Sequence, residues 1–271
     1  MTATVEHSPP RPRLLAVGAV VPLVALGIVV TAVLVLLLGV WGLLVGLVLT
    51  AVVVVLRVRA LTTGIRRRVL AGLAPRRADD TLDARLVNLT EGLSATSGVP
   101  RPDLFVLEDP GANMLLVGES PNEPAVVITT GLLDALDRVQ LESVVARAFA
   151  ELRQGELPAS SVAVTTVARP AVRGGMAAMI SRPFQAMVGA DGWRLVSDPD
   201  RDLLLDRAAV SLTRYPPGLL GALEQIARVG TTVRAASAES AHLWMADPGP
   251  SLPGASPRPA LELRVEALRL L

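Results

Sequence analysis

The sequence predicts a mainly helical protein of the α+β class: an N-terminal helical hairpin of membrane-spanning length, then one helical domain carrying a small antiparallel sheet. Three observations predict it. No charged residue occurs between Leu14 and Leu56. Later segments repeat apolar residues every three or four positions, the spacing of one helix face. Among them lie short apolar and β-branched runs bounded by turn-forming residues. A chain of 271 residues, 51% of them hydrophobic, has room for such an anchor and one domain of ordinary size.

At ~1.5 Å per helical residue, the uncharged run is about twice the ~30 Å thickness of a bilayer core. Two spans fit it better than one, roughly residues 14–38 and 42–56. Gly39, Trp41 and Gly42 fall where a tight turn and an interfacial indole belong. A secretory signal has only ~7–15 apolar residues, so this run is too long to be one. Arg11 and Arg13 precede the first span, and Arg57, Arg59, Arg66, Arg67 and Arg68 follow the second. The positive-inside rule then puts both ends in the cytoplasm. The expected organisation is a tail (1–13), a two-span hairpin in the lipid bilayer (14–58) and a cytoplasmic domain (59–271) of a multi-pass membrane protein. The cluster at residues 66–68 reads first as a stop-transfer flank and second as a contact for anionic head groups, at about 1 kcal/mol per basic residue.

Asp80 or Thr81 can cap a helix whose stripe is Leu82, Leu86, Leu89 and Leu93, ended by Gly98 and Pro100. Residues 103–107, 113–117 and 125–129 are strand-like and separated by DPGA and ESPNEP, which predicts an antiparallel sheet. Leu141, Val144, Val145, Ala148, Phe149 and Leu152 form the next apolar stripe, with Arg147 and Glu151 one turn apart on another face. Residues 158–200 mix apolar residues with Arg169, Arg173 and Arg182. A charge at a bilayer centre costs at least ~2.5–3.5 kcal/mol, so this stretch is expected to be a lid or a membrane-surface insertion, not a span. Pro216-Pro217 opens a further helix, and residues 261–271 form the last.

Composition removes several function classes. A formal net charge of +1 and 3% aromatic residues argue against a nucleic-acid partner. Cysteine is absent, which excludes disulfides, thiolate nucleophiles and thiolate metal sites. No G-x-S-x-G and no phosphate-binding loop occurs.

Five ordered segments carry a resemblance. NMLLVG at 113–118 looks like the N-A-F-A-x-G edge strand of the HtpX-type membrane zinc metallopeptidases, a family related to the CAAX prenyl-protein proteases. ITTGLLDAL at 128–136 is close to that family's approach to its active-site helix. LESVVARAFAELRQGE at 141–156 stands where the family has L-E-A-V-L-A-H-E-L-A-H. DLLLDRAAVSLTRYPPGLLGAL at 202–223 is similar to its E-x-x-A-D segment and following helix, and AHLWMADP at 241–248 resembles another signature. The resemblance implies a zincin-like domain, a zinc cofactor, and an edge strand that binds polypeptide through Asn113, Met114, Leu115, Leu116 and Gly118.

The metal-binding positions depart from the pattern. H-E-x-x-H works because two imidazoles one turn apart donate lone pairs to zinc while the glutamate takes a proton from bound water. Here Arg147 stands for the first histidine, Ala148 for the general base, Glu151 for the second histidine and Asp202 for the third ligand. A guanidinium has a permanent charge and no lone pair for a metal. Two alternatives exist for Arg147: a buried tie to Asp202 and Glu151, or a solvated pair with Glu151. An oxygen-ligand magnesium or calcium site from Glu151, Asp202 and Asp206 would be opposed by the same arginine. Asp206, at the family's metal-orienting position, can pair with Arg147 or Arg207 or face solvent. His242 can line the cleft or be structural, and the only other histidine is His7. No metal is therefore expected. The expected function is a catalytically inactive membrane homologue acting as a polypeptide-binding scaffold, or as the regulator of an active peptidase relative. The competing reading is an active membrane metalloendopeptidase with an atypical metal site.

Overall fold

The computed structural model describes residues 12–169, 172, 196, 198, 200–251, 253 and 257–271. It opens with two long apolar helices, α1 (Pro12–Leu38) and α2 (Val40–Thr62), which turn back on each other at Gly39. Gly39 has φ 60°, a backbone that glycine adopts without steric cost. The helices then pack closely at Gly42 and Gly46, where an added Cβ would collide with the Leu34 carbonyl and with Thr31. Trp41 and Gly42 are already helical, so the turn is shorter than the sequence suggested. α2 is long and apolar enough to cross a membrane, and large side chains such as Leu47, Val48 and Leu56 stand exposed on it. α1 carries a shorter apolar run, Leu23–Leu38.

α3 (Ile65–Leu73) follows at once, its N-terminus held by Glu119, whose carboxylate accepts from the backbone N–H of Gly64 and Arg66 at 2.9 and 2.8 Å. An anion there complements the helix dipole and fastens the end of the hairpin to the sheet. After β1 (Arg76–Arg77) comes α4 (Ala84–Ser97). It starts later than Asp80 or Thr81 because the Asp79 carboxylate accepts from the N–H groups of Thr81 and Leu82, closing a turn that leaves Leu82 outside the helix and exposed.

The strands β2 (Asp103–Leu107), β3 (Met114–Val117) and β4 (Ala125–Thr129) complete a sheet of order β1-β2-β4-β3. It is mixed, which corrects the antiparallel expectation. β3 and β4 form an antiparallel hairpin, Leu116 opposite Val126, but β4 then inserts beside β2 and runs parallel to it, Leu104 opposite Val126. Alternation explains why the strands read as continuous apolar runs. Leu104, Val106, Met114, Leu116, Val126 and Ile128 face one core, while Leu107, Leu115, Val117, Ala125 and Val127 face another.

The helices α5 (Thr130–Ala135) and α6 (Arg138–Gln154) follow. A capping box starts α6: the Asp137 side chain accepts from Gln140 N, and the Gln140 side chain from Asp137 N. α7 (Leu157–Ala163) continues into a π-helical turn, Val164–Ala168, and both are buried, so the start of the 158–200 stretch is not surface-lying. Most of its remainder, with Arg173 and Arg182, lies outside the described residues. The chain resumes in α8 (Arg201–Thr213), α9 (Pro216–Val229), a 3-10 turn at Ala238–Leu243, and α10 (Leu261–Arg269).

A candidate site between facing helices

α6 directs Leu141, Val144, Val145, Ala148 and Phe149 into the core that also contains one face of the sheet. Arg147 and Glu151 are left to meet α8, which presents Asp202 and Asp206 one turn apart beside the buried Leu205 and Ala209. The Arg147 guanidinium bridges the two carboxylates: Nη2 donates to Asp202 Oδ1 at 2.6 Å and Nε to Asp206 Oδ1 at 2.9 Å. Arg147 is 2% exposed and Asp206 1%, so the pair is buried and not solvated, and of the two partners expected for a buried tie Asp202 is found while Asp206 takes the place of Glu151.

Glu151 is not a partner of Arg147. It accepts instead from Arg201 Nη2 at 2.7 Å, and Arg201 Nε lies 3.6 Å from Glu156. Arginine N-terminal to glutamate at this spacing is the weaker helical arrangement, and each group here has a better partner on α8. Asp206 turns inward to Arg147 while Arg207 is exposed.

Two further arginines complete the cluster, and neither was singled out from the sequence. Arg258 Nη2 donates to both oxygens of Asp202 at 2.8 Å, and its Nη1 to the Trp244 carbonyl at 2.6 Å. Arg264 grips Asp206 with two bonds of 2.7 Å and reaches the Met245 carbonyl at 2.9 Å. These fork-to-fork contacts are the strong form of an ion pair. A sequence signal existed for Arg264, because it shares a helix face with Leu261, Val265 and Leu268. Arg258 lies between two prolines outside any periodic segment.

The electrostatics follow from this packing. Burial acts to raise the Asp202 carboxyl, but Arg258, Arg264 and Arg147 hold it below the usual carboxylate range. Burial and the nearby Arg264 depress Arg147 against the opposing pull of Asp206 and Asp202. For Arg264 burial is outweighed by Asp206 and Asp202, and its pKa rises. His242 borders the cluster: its Nε2 lies 2.9 Å from the Ser160 carbonyl, and burial, with Arg201 and Arg258 nearby, pushes its pKa down to about 4. Its Nδ1 and the Trp244 indole nitrogen are buried without a hydrogen-bond partner among the described residues.

The strand residues singled out from the sequence lie beside the cluster but are buried. Asn113 donates to the Thr231 and Ala246 carbonyls at 2.9 and 3.0 Å. Met245 N donates to the Met114 carbonyl at 2.7 Å, Leu115 bridges to Trp244, and Gly118 N donates to Ser161 Oγ at 2.9 Å. The outer edge of β3 is therefore occupied by this chain at Met114 and Gly118, with Leu116 between them. Met245 is in turn fastened to Arg258 and Arg264, which links strand edge and ion-pair cluster into one unit.

The zinc implied by the resemblance does not fit this donor set. Arg147 offers only N–H donors, Ala148 offers no base, and arginines engage Asp202, Asp206 and Glu151. Among the described residues no group of three or more His, Asp or Glu side chains is arranged to hold a metal ion.

Two apolar helices, one of them long enough to cross a membrane, joined to a mainly helical domain with a small mixed sheet and a buried charged cluster, define the class of protein by its architecture. The comparisons make the relationship specific. The chain is 30% identical over 215 residues to a protease HtpX homolog of Dictyoglomus thermophilum, covering 69% of each chain. It is 29% identical over 213 residues to the homolog of Dictyoglomus turgidum, again covering 69% of each. It is 27% identical over 186 residues to that of Tropheryma whipplei, covering 61% of this chain and 64% of the relative. No protein-family model matches the chain, and no solved structure does so significantly. The chain belongs to the HtpX family of protease homologues.

Proposed function

We propose that this chain is a membrane-anchored, non-hydrolytic member of the HtpX family, acting as a polypeptide-holding scaffold or as the regulator of an active relative. The observation that carries the reading is the Arg147 guanidinium bonded to Asp202 and Asp206 in the place of a histidine ligand. Peptide hydrolysis by this family's chemistry needs an electron-pair acceptor to bind water and a base to deprotonate it. Arg147 and Ala148 supply neither. What Arg147 supplies, with Arg258 and Arg264, is cohesion: α6, α8, the 244–245 segment and α10 are joined through one charged cluster.

In this reading the hairpin 14–58 anchors the protein as two spans, and the zincin-like domain 59–271 lies on the cytoplasmic side, as the arginine flanks direct. A client adding as a strand at β3 first displaces the Met245 and Gly118 contacts, so capture is expected to be slow and selective. Metal analysis of the purified full chain, paired with a chelator-sensitive casein-cleavage assay, tests the reading. Substoichiometric metal and no cleavage are expected. A stoichiometric metal with turnover would establish the metalloendopeptidase with an atypical site instead.

A further inference from the structure

Resting on the membrane-anchored reading, we infer that a pocket at the foot of the hairpin binds the head group of an anionic phospholipid. α3, the π-helical turn and the 3-10 turn enclose a cavity of about 140 Å³. Its level is set by the last turn of α2. Thr165 Oγ1 donates to the Leu61 carbonyl at 2.7 Å, and Arg68 Nη2 donates to the carbonyls of Thr63 and Ala60 at 2.8 and 3.2 Å. The pocket therefore opens where a span ending at Thr62 would meet lipid phosphates.

Its lining matches a phosphodiester joined to a glycerol backbone. Ile65, Val69 and Leu73 form an apolar wall, while Arg68, Ser237 and Ser240 line it with polar groups. All the hydrogen bonds of Arg68 run to neutral carbonyls, and the carboxylate in the lining, Glu239, is bonded to Arg169 instead. Arg169, also in the lining, uses Nε for Glu239 at 2.8 Å, which leaves its terminal nitrogens as further donors. Outside the pocket, Arg57, Arg59 and Arg67 are exposed and make no ion pair among the described residues. Guanidinium groups suit the non-bridging phosphate oxygens, the serine hydroxyls a polar head, and the apolar wall the first carbons of the lipid. A choline head adds a cation that Arg68 and Arg169 repel. Inorganic phosphate satisfies the arginines but leaves the apolar wall uncovered.

The full chain in neutral detergent is offered phosphatidylglycerol, phosphatidylcholine of the same acyl chains, or inorganic phosphate, and bound molecules are counted by native mass spectrometry. Saturable retention of phosphatidylglycerol, and not of the choline lipid, is expected. Arg68→Gln should lower that retention about fivefold, the factor equivalent to about 1 kcal/mol per basic residue, while Arg77→Gln, outside the pocket, leaves it unchanged. Equal retention of both lipids by the unmodified chain overturns the proposal, whatever the variants do. Complete displacement of phosphatidylglycerol by phosphate would overturn it in favour of a free anion. Failure of the membrane reading looks different: alkaline carbonate would then strip the chain from membranes before any lipid is tested.

Discussion

A guanidinium and a zinc ion both attract carboxylates, but only the metal accepts an electron pair from water. Arg147 therefore ties α6 to α8 through Asp202 and Asp206 while offering no electron-pair acceptor of its own. The pairing of Arg147 with Asp202 was one of two alternatives that the resemblance to the HtpX family opened, because it put a cation and a carboxylate at two ligand positions of one site; the Glu151 partner expected beside Asp202 is replaced by Asp206. The roles of Arg258 and Arg264 were not legible, since neither lies in a segment that carries the resemblance, and the helix face of Arg264 signals burial without naming a partner 58 residues away. Removing one member of a buried ion pair strands its partners' charge, so Arg147→Ala should destabilise the domain by ~3–5 kcal/mol. Thermal melting of the full chain in detergent reads this, and an unchanged midpoint refutes it. Asp202 and Asp206 each keep one arginine in that variant, which favours the lower end of the range. His242 makes a separate prediction. Its folded pKa of about 4 lies below the ordinary 6.5, so between these values the unfolded chain binds the extra proton. Stability is then complete above pH 6.5 and falls by about 3 kcal/mol as the pH drops toward 4. His242→Gln should flatten that slope in melting curves taken across the range. A slope equal to that of the unmodified chain would place its origin elsewhere.

At the scale of elements, what the sequence revealed were the features governed by local periodicity. The α6 stripe, the prolines opening α9 and the three apolar strands all follow from spacing that one segment carries by itself. The parallel pairing of β2 with β4 did not, because strand order depends on which edge the β3–β4 hairpin adopts, and both cores accept apolar residues. The start of α4 was misplaced because Asp79 uses its carboxylate to close a turn, an outcome that several neighbouring acidic residues made ambiguous. The same distinction bears on any attempt to rebuild a zinc site. Restoring the helix motif alone, as R147H/A148E/E151H, supplies two imidazoles and a base on α6 but leaves Arg258 bonded to both oxygens of Asp202. The triple variant is expected to bind zinc well below stoichiometry by elemental analysis. Adding Arg258→Gln should raise the occupancy, because it frees the third carboxylate. Full occupancy in the triple variant would show that the arginines outside α6 do not control the site.

For the whole molecule, hairpin and domain are joined rather than tethered. Glu119, in the loop between β3 and β4, holds the first turn of α3, while Thr165 reaches the last turn of α2, so two parts of the domain fix the end of the second helix. The two long apolar helices were legible in the uncharged run, although among the described residues α2 alone is long and apolar enough to cross a membrane. The orientation of the hairpin rests on arginine placement alone. The absence of cysteine makes that orientation testable without removing native thiols. Trp41→Cys places a thiol at the hairpin turn, at a position 70% exposed, and Thr63→Cys places one just beyond α2, where the threonine is also exposed. A membrane-impermeant maleimide added to intact cells should label position 41 and spare position 63, and lysis should open position 63 to the reagent. The reverse pattern would put the arginine-flanked end outside, against the charge rule. Labelling of both positions in intact cells would mean that the hairpin does not cross the bilayer, because only an uncrossed hairpin leaves its turn and its base on the same exposed side.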